Sequence, residues 1–156
     1  MLDKNFILKN THHIIALGFG TGLYKKAPGT LGTLVAIPLF LAINKVDISF
    51  QLLFAVMVFI LGIWSSNVTS KFLKLKDPSC IVIDEIAAFL FLLILINPNV
   101  YQLIYVFILF RLFDIWKPYP ISWLEKNYSG GFGIMIDDIA AALMALIIYL
   151  ITDYAL

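Results

Sequence analysis

The sequence predicts an all-α protein: an integral membrane helical bundle of about five spans, with an N-terminal interfacial or re-entrant segment. Three observations predict it. Of 156 residues, 62% are hydrophobic and 13% charged, with mean hydropathy +0.96, whereas soluble domains carry about 45–50% apolar and about 25% charged residues. The apolar residues fall into runs approaching the roughly 20 residues that a helical span requires. Lysine and arginine concentrate in alternate connections, which is the bias of cytoplasmic loops. The length suits a single membrane-embedded domain over residues 1–156.

In chain order, residues 1–12 read as an amphipathic start, with Lys4 and Lys9 beside Phe6, Ile7 and Leu8. They lack an apolar core followed by a small-residue cleavage site, so no cleavable signal peptide is expected. Residues 14–24 are apolar but carry three glycines and are too short to span, which predicts a short helix or re-entrant piece at the interface. Lys25-Lys26-Ala27-Pro28-Gly29-Thr30 breaks the chain. The first span is 31–44, softened by Pro38, and the turn 45–47 leads into the second span, 48–66. A polar loop is expected over 67–80. The third span, 81–96, carries Asp84-Glu85 near its start, and Asn97-Pro98-Asn99 is a turn signal. The fourth span, 100–116, meets Lys117-Pro118, where the residue before proline is pushed out of the helical region. A loop over 117–133, glycine-rich at its end, precedes the fifth span, 134–151.

Orientation follows from the cations. The N-terminus, the 67–80 loop and the 117–133 loop hold nearly all of them, so the N-terminus lies in the cytoplasm and the C-terminus outside. With five spans, every ionisable residue embedded in an apolar run falls at the cytoplasmic end of its span: Asp84, Glu85, Arg111, Asp114, Asp137 and Asp138. Charged groups in apolar segments are costly and mark functional candidates. The Ala27-Pro28-Gly29-Thr30 turn before the first span lies on that side too, so four separate segments converge on one depth.

Five carboxylates in one place repel each other unless protonated or bridged by a cation. Oxygen ligands of this kind suit Mg²⁺. Any one of these acids is equally explained by the favourable macrodipole at a helix start; the set is not. Arg111, the only arginine, offers a bidentate fork for a phosphate. Lys117 fits either a phosphate-binding point charge or a snorkelling interfacial anchor. Gly29 and Thr30 precede a helix, where backbone N–H groups favour anions. Gly130-Gly131-Phe132-Gly133 allows close backbone approach to a ligand, or is simply a loop.

Other chemistries are excluded or disfavoured. Net charge of +1 gives no argument for nucleic acid. A single cysteine, Cys80, rules out an internal disulfide, and with Ile86 six residues on it heads no cysteine-phosphatase loop. No Asp-x-Asp-x-Thr nucleophile motif occurs, and His12 and His13 show no metal-ligand spacing with the acids. The competing reading is a small ion-coupled membrane transporter using the intramembrane carboxylates, which would put charges near the midplane.

Several strings resemble the phosphatidylglycerophosphatase A family. They are Phe19-Gly20-Thr21-Gly22 with Ala27-Pro28-Gly29-Thr30-Leu31-Gly32-Thr33-Leu34, and Ile83-Asp84-Glu85. The most specific are Phe110-Arg111-Leu112-Phe113-Asp114-Ile115-Trp116-Lys117-Pro118-Tyr119-Pro120-Ile121 and Gly130-Gly131-Phe132-Gly133-Ile134-Met135-Ile136-Asp137-Asp138. The similarity runs in order from about Asn10 to Tyr149. It departs at Ala88, where glycine is expected. The resemblance implies a Mg²⁺-dependent integral membrane phosphatase of bacterial inner membranes, acting on the lipid phosphatidylglycerophosphate from the cytoplasmic side to give phosphatidylglycerol. On that reading Asp84, Asp114, Asp137 and Asp138 are catalytic, and Asp84, Glu85, Asp114 and Asp138 hold metal. Arg111, Lys117, Gly29 and Thr30 then bind the substrate phosphate.

Overall fold

The computed structural model describes residues 10–155, so residues 1–9 of the expected amphipathic start lie outside the described residues. Every regular element among the described residues is helical: α1 (Thr11–Ala16), a 3₁₀ segment (Gly18–Leu23), α2 (Pro28–Ile43), α3 (Ile48–Leu73), α4 (Ile83–Ile96), α5 (Val100–Trp116), α6 (Ile121–Asn127) and α7 (Gly130–Ala155). The piece expected over 14–24 is therefore two short turns joined at Leu17. The end of α1 is tied to the start of α4, where the Val82 N–H donates to the Ala16 carbonyl at 2.9 Å.

The helix ends have local causes. Pro28 starts α2 at a position where its missing N–H costs nothing. Asp47 caps α3 by accepting from the Ser49 N–H at 2.8 Å. Asn99 and Gln102 form a reciprocal capping box at the start of α5. Lys74, Asn97 and Lys117 close α3, α4 and α5 in the left-handed conformation.

The bundle is organised around α4. Its sequence is apolar on all sides apart from the first turn, which is the signature of a buried helix. Ten of its fourteen residues are buried. It packs on α2, α3 and α7, while α5 leans mainly on α7. Small residues set the approach of α3 to α7: a side chain at Gly131 would strike the Ile63 carbonyl and Asn67, and one at Gly62 would strike Met135.

Fewer than the expected five helices reach full span length: among the described residues two are long and apolar enough to cross a membrane by length and composition, Ile48–Leu73 and Gly130–Asp153. At about 1.5 Å per residue, α2, α4 and α5 reach only roughly 21–26 Å, short of the hydrocarbon core of about 30 Å. They are short because the apolar runs that form them, 31–44, 81–96 and 100–116, are themselves short. The long helices grow instead by absorbing polar neighbours. Half of the expected 67–80 loop is the last two turns of α3, the Gly130–Gly133 stretch is the first turn of α7, and α6 occupies the middle of the 117–133 loop.

Large apolar side chains cover the outside, including Phe50, Met57 and Ile60 on α3, Ile108 on α5, and Ile147 and Ile151 on α7. Soluble monomers rarely expose contiguous apolar patches beyond a few hundred Å². With the two long apolar helices, this surface marks a membrane-associated protein.

Candidate active site

Asp84 and Glu85 occupy the first turn of α4, where the helix dipole favours negative charge. Arg111 and Asp114 stand three residues apart near the end of α5 and so share a face. Their Nη1 and Oδ2 atoms are 2.5 Å apart. The same Nη1 lies 3.6 Å from Glu85 Oε1 and donates to Thr33 Oγ1 at 3.3 Å. The Thr33 hydroxyl in turn donates to the Gly29 carbonyl at 2.9 Å. One guanidinium thus joins α2, α4 and α5.

Helix α7 adds Asp138. Asp84, Glu85 and Asp138 each offer an oxygen, and these oxygens all lie within 4.8 Å of one another. Asp114 borders this group and faces Asp138, but its own Oδ2 is held by Arg111. Asp84 Oδ1, Glu85 Oε2 and Asp138 Oδ2 are buried without a hydrogen-bond partner, as is Arg111 Nε. Buried polar atoms are normally satisfied, so each exception calls for an explanation. An oxygen-only set with unspent acceptors fits a hard divalent cation, and an unspent guanidinium donor fits an anion.

Gly29 sits directly against this centre. A Cβ there would run into Glu85 Oε1 and Arg111 Nη2, so only glycine lets the first turn of α2 lie on the pair. Thr30 is half-buried beside it and lines an outward groove with Arg111.

Lys117 and Asp137 form a second arrangement. Adjacent residues on a helix do not share a face, and Asp137 turns away from Asp138 to meet Lys117 Nζ at 2.6 Å. Lys117 also donates to Glu125 Oε1 at 3.1 Å. Burial alone would lower the Lys117 pKa, but the hydrogen bond and charge of Asp137, aided by Glu125, raise it above the ordinary lysine value, so it stays cationic. A cavity of about 200 Å³ opens here, lined by Asp77, Glu125, Ser129 and Asp137 among others. Burial raises the Asp77 pKa, partly opposed by Lys117.

Of the residues predicted from sequence, Asp84, Glu85, Asp138, Asp114, Arg111 and Gly29 come together around one point, with Thr30 at its edge. Lys117 and Asp137 pair beside them. Reasoning from sequence missed Thr33, Glu125 and Asp77. Thr33 stands four residues after Gly29 on α2, a spacing that signals a shared face; nothing local links Glu125 or Asp77 to Lys117. The histidines belong elsewhere: His13 is buried, shares a 2.9 Å hydrogen bond with Thr69 and packs near Phe72. Burial, with a smaller contribution from His12, lowers its pKa. Burial also pushes the Cys80 thiol up, which keeps it protonated. Gly131 serves helix packing, and Ala88 is fully buried in the core.

The chain matches the family model of phosphatidylglycerophosphatase A over residues 14–153. It is 36% identical over 139 residues to the phosphatidylglycerophosphatase A of Escherichia coli (strain K12), covering 88% of this chain and 81% of that relative. It is also 36% identical over 153 residues to the phosphatidylglycerophosphatase A of Haemophilus influenzae (strain ATCC 51907 / DSM 11121 / KW20 / Rd), covering 97% and 94% respectively. A Bacteroides thetaiotaomicron protein, named as a candidate phosphatidylinositol-3-phosphatase, is 31% identical over 151 residues, covering 92% and 94%. No solved structure matches the chain. The matched region spans every helix that contributes to the carboxylate centre, and the chain belongs to the phosphatidylglycerophosphatase A family of phosphatases.

Proposed function

We propose that this chain is a Mg²⁺-dependent phosphatase that hydrolyses the terminal phosphomonoester of phosphatidylglycerophosphate, giving phosphatidylglycerol and inorganic phosphate. It works as a multi-pass protein of the bacterial inner membrane, with its site on the cytoplasmic side. The observation that carries this reading is the meeting of Asp84, Glu85 and Asp138 beside Arg111. The three carboxylates hold the metal. When bound, Mg²⁺ supplies Lewis-acid neutralisation of charge on the phosphoryl oxygens.

The residues supply the rest. Arg111, with the backbone and hydroxyl of Gly29 and Thr30, clamps the phosphoryl oxygens as charge redistributes in phosphoryl transfer. A phosphate engaging Arg111 competes with Asp114 for the guanidinium, which frees the Asp114 carboxylate to orient the attacking water and take its proton. Water oxygen bonds to phosphorus as the bond to the glycerol oxygen breaks, and the proton passes to the departing alkoxide. Lys117 is fixed beside the centre by Asp137 and Glu125, and it can turn to a phosphoryl oxygen only by giving up one of those two carboxylates. For the topology, α2, α4 and α5 complete five crossings with the two long helices, the mismatch being absorbed by bundle packing and local thinning.

The test is phosphate release by purified protein from phosphatidylglycerophosphate in mixed micelles, with Mg²⁺ and with a chelator. Release with Mg²⁺ and none with the chelator is expected. No release in either condition sinks the enzyme reading. Phosphatidylinositol 3-phosphate is run in parallel, because one relative's name points to that headgroup.

A further inference from the structure

The outward groove between α2 and α5 has a polar head and an apolar body. Thr30 and Arg111 form the head, while Ile108, Leu112 and Ile115, spaced i, i+4 and i+7 on α5, line the body with Phe107 and Trp116. Its volume is about 470 Å³. Ile108, Leu112 and Ile115 are exposed, so the groove is open along its length towards the surrounding lipid.

Two other apolar grooves on the same molecule provide the comparison. One, with Phe50, Phe54 and Met57 in its wall, has no ionisable side chain. The other, between Tyr101, Tyr105 and Tyr149, ends at Asp153. Of the three, only the α2–α5 groove ends on a cation. That cation is also the group that contacts Glu85 and Asp114 of the carboxylate centre, and its Nε has no hydrogen-bond partner. A zwitterionic lipid brings its own balancing cation to this head, whereas an anionic monoester brings net negative charge that the other two grooves have no cation to meet.

We propose that this groove is the lateral entry and acyl-chain subsite for an anionic phospholipid monoester. The acyl chain lies along Ile108, Leu112 and Ile115, and the phosphate is delivered to Arg111 and Thr30 from within the membrane. This assignment rests on the phosphatase reading for its substrate, but it can be decided without turnover.

Two experiments test it. In the first, kcat/KM is measured for dioleoyl and dihexanoyl phosphatidylglycerophosphate. Filling the groove with Ile108→Trp plus Leu112→Trp should lower the long-chain to short-chain ratio about tenfold, the scale of losing a few buried methylenes. Leu53→Trp plus Met57→Trp, in the uncharged groove, should leave the ratio unchanged. An unchanged ratio in the first pair, or an equal fall in both pairs, overturns the proposal.

In the second, wild-type protein in phosphatidylcholine nanodiscs is photolabelled with phosphatidic acid carrying a diazirine in one acyl chain, and the labelled residues are mapped. Enrichment at 107–116 over 50–57 is expected, with none when the probe is a diazirine phosphatidylcholine. Even labelling of both grooves, or equal enrichment with the neutral lipid, means ordinary boundary lipid and overturns the assignment. A wild-type protein inactive on both substrates defeats the phosphatase reading alone, and the labelling still decides the groove.

Discussion

Lys117 Nζ lies 2.6 Å from Asp137 Oδ2, and this pair separates two neighbouring aspartates on α7 into different jobs. Asp137 neutralises a lysine, and Asp138 joins the carboxylate centre. Lys117 has φ 46°, a left-handed conformation that favours glycine or asparagine. Lys74 closes α3 in the same conformation at φ 55°, so what distinguishes Lys117 is its pairing with Asp137 and Glu125.

Lys117→Met strands Asp137, which is 4% exposed, without its cation. Breaking such a partly buried pair should cost about 2–4 kcal/mol, seen as a lower thermal midpoint in detergent. Adding Asp137→Asn should recover most of that loss. A double variant as unstable as Lys117→Met would show that the lysine's value lies elsewhere.

Metal removal should abolish turnover, and added Mg²⁺ should restore it. Asp84→Asn should reduce kcat below detection while the protein still inserts and elutes as a single species. Asp138→Asn removes one of three grouped oxygens and should raise the Mg²⁺ concentration for half-maximal rate by about ten- to a hundredfold, the usual range for weakened ligation. Near-wild-type Mg²⁺ dependence in both variants would remove these acids from the metal site.

Gly29→Ala adds one methyl group where Glu85 Oε1 and Arg111 Nη2 already sit. The centre must open to admit it. A misplacement of this kind costs about a hundredfold in rate, so kcat/KM should fall by about that factor with little change in thermal midpoint. Full activity in this variant would mean that the turn does not position the clamp.

His13 gives a pH signature. Its folded pKa is lowered by burial and by His12, so the unfolded chain binds the proton more readily. The neutral ring's contribution to stability is complete above the ordinary histidine pKa of about 6.5 and is lost as pH falls below it. The wild-type thermal midpoint should therefore drop between pH 7.5 and 5.5. His13→Gln, which can keep a hydrogen bond to Thr69, should show a smaller drop; identical pH slopes would contradict the assignment.

Much of the site is legible from position along the chain. Asp84-Glu85, Arg111 with Asp114, and Asp137-Asp138 each sit near one end of an apolar run, and α4, α5 and α7 bring those ends together. Helical spacing alone puts Arg111 beside Asp114. Spacing cannot show that Arg111 also reaches Thr33, 78 residues away, or that Lys117 meets Glu125 and Asp137. Those contacts depend on which face of each helix its neighbour covers.

The sequence by itself determined the all-helical class, the apolar exterior and the set of ionisable residues that had to be gathered, because composition and period are local properties. Tertiary structure decided the division of labour within Asp137-Asp138 and the helix-packing role of Gly131. The physical reason is the same in each case. Once α4 is buried at the centre, close packing dictates which faces meet. The stretch around Arg111 carries its charge in the sequence, but it becomes a junction between a carboxylate centre and an apolar groove only when α2, α4 and α5 are assembled.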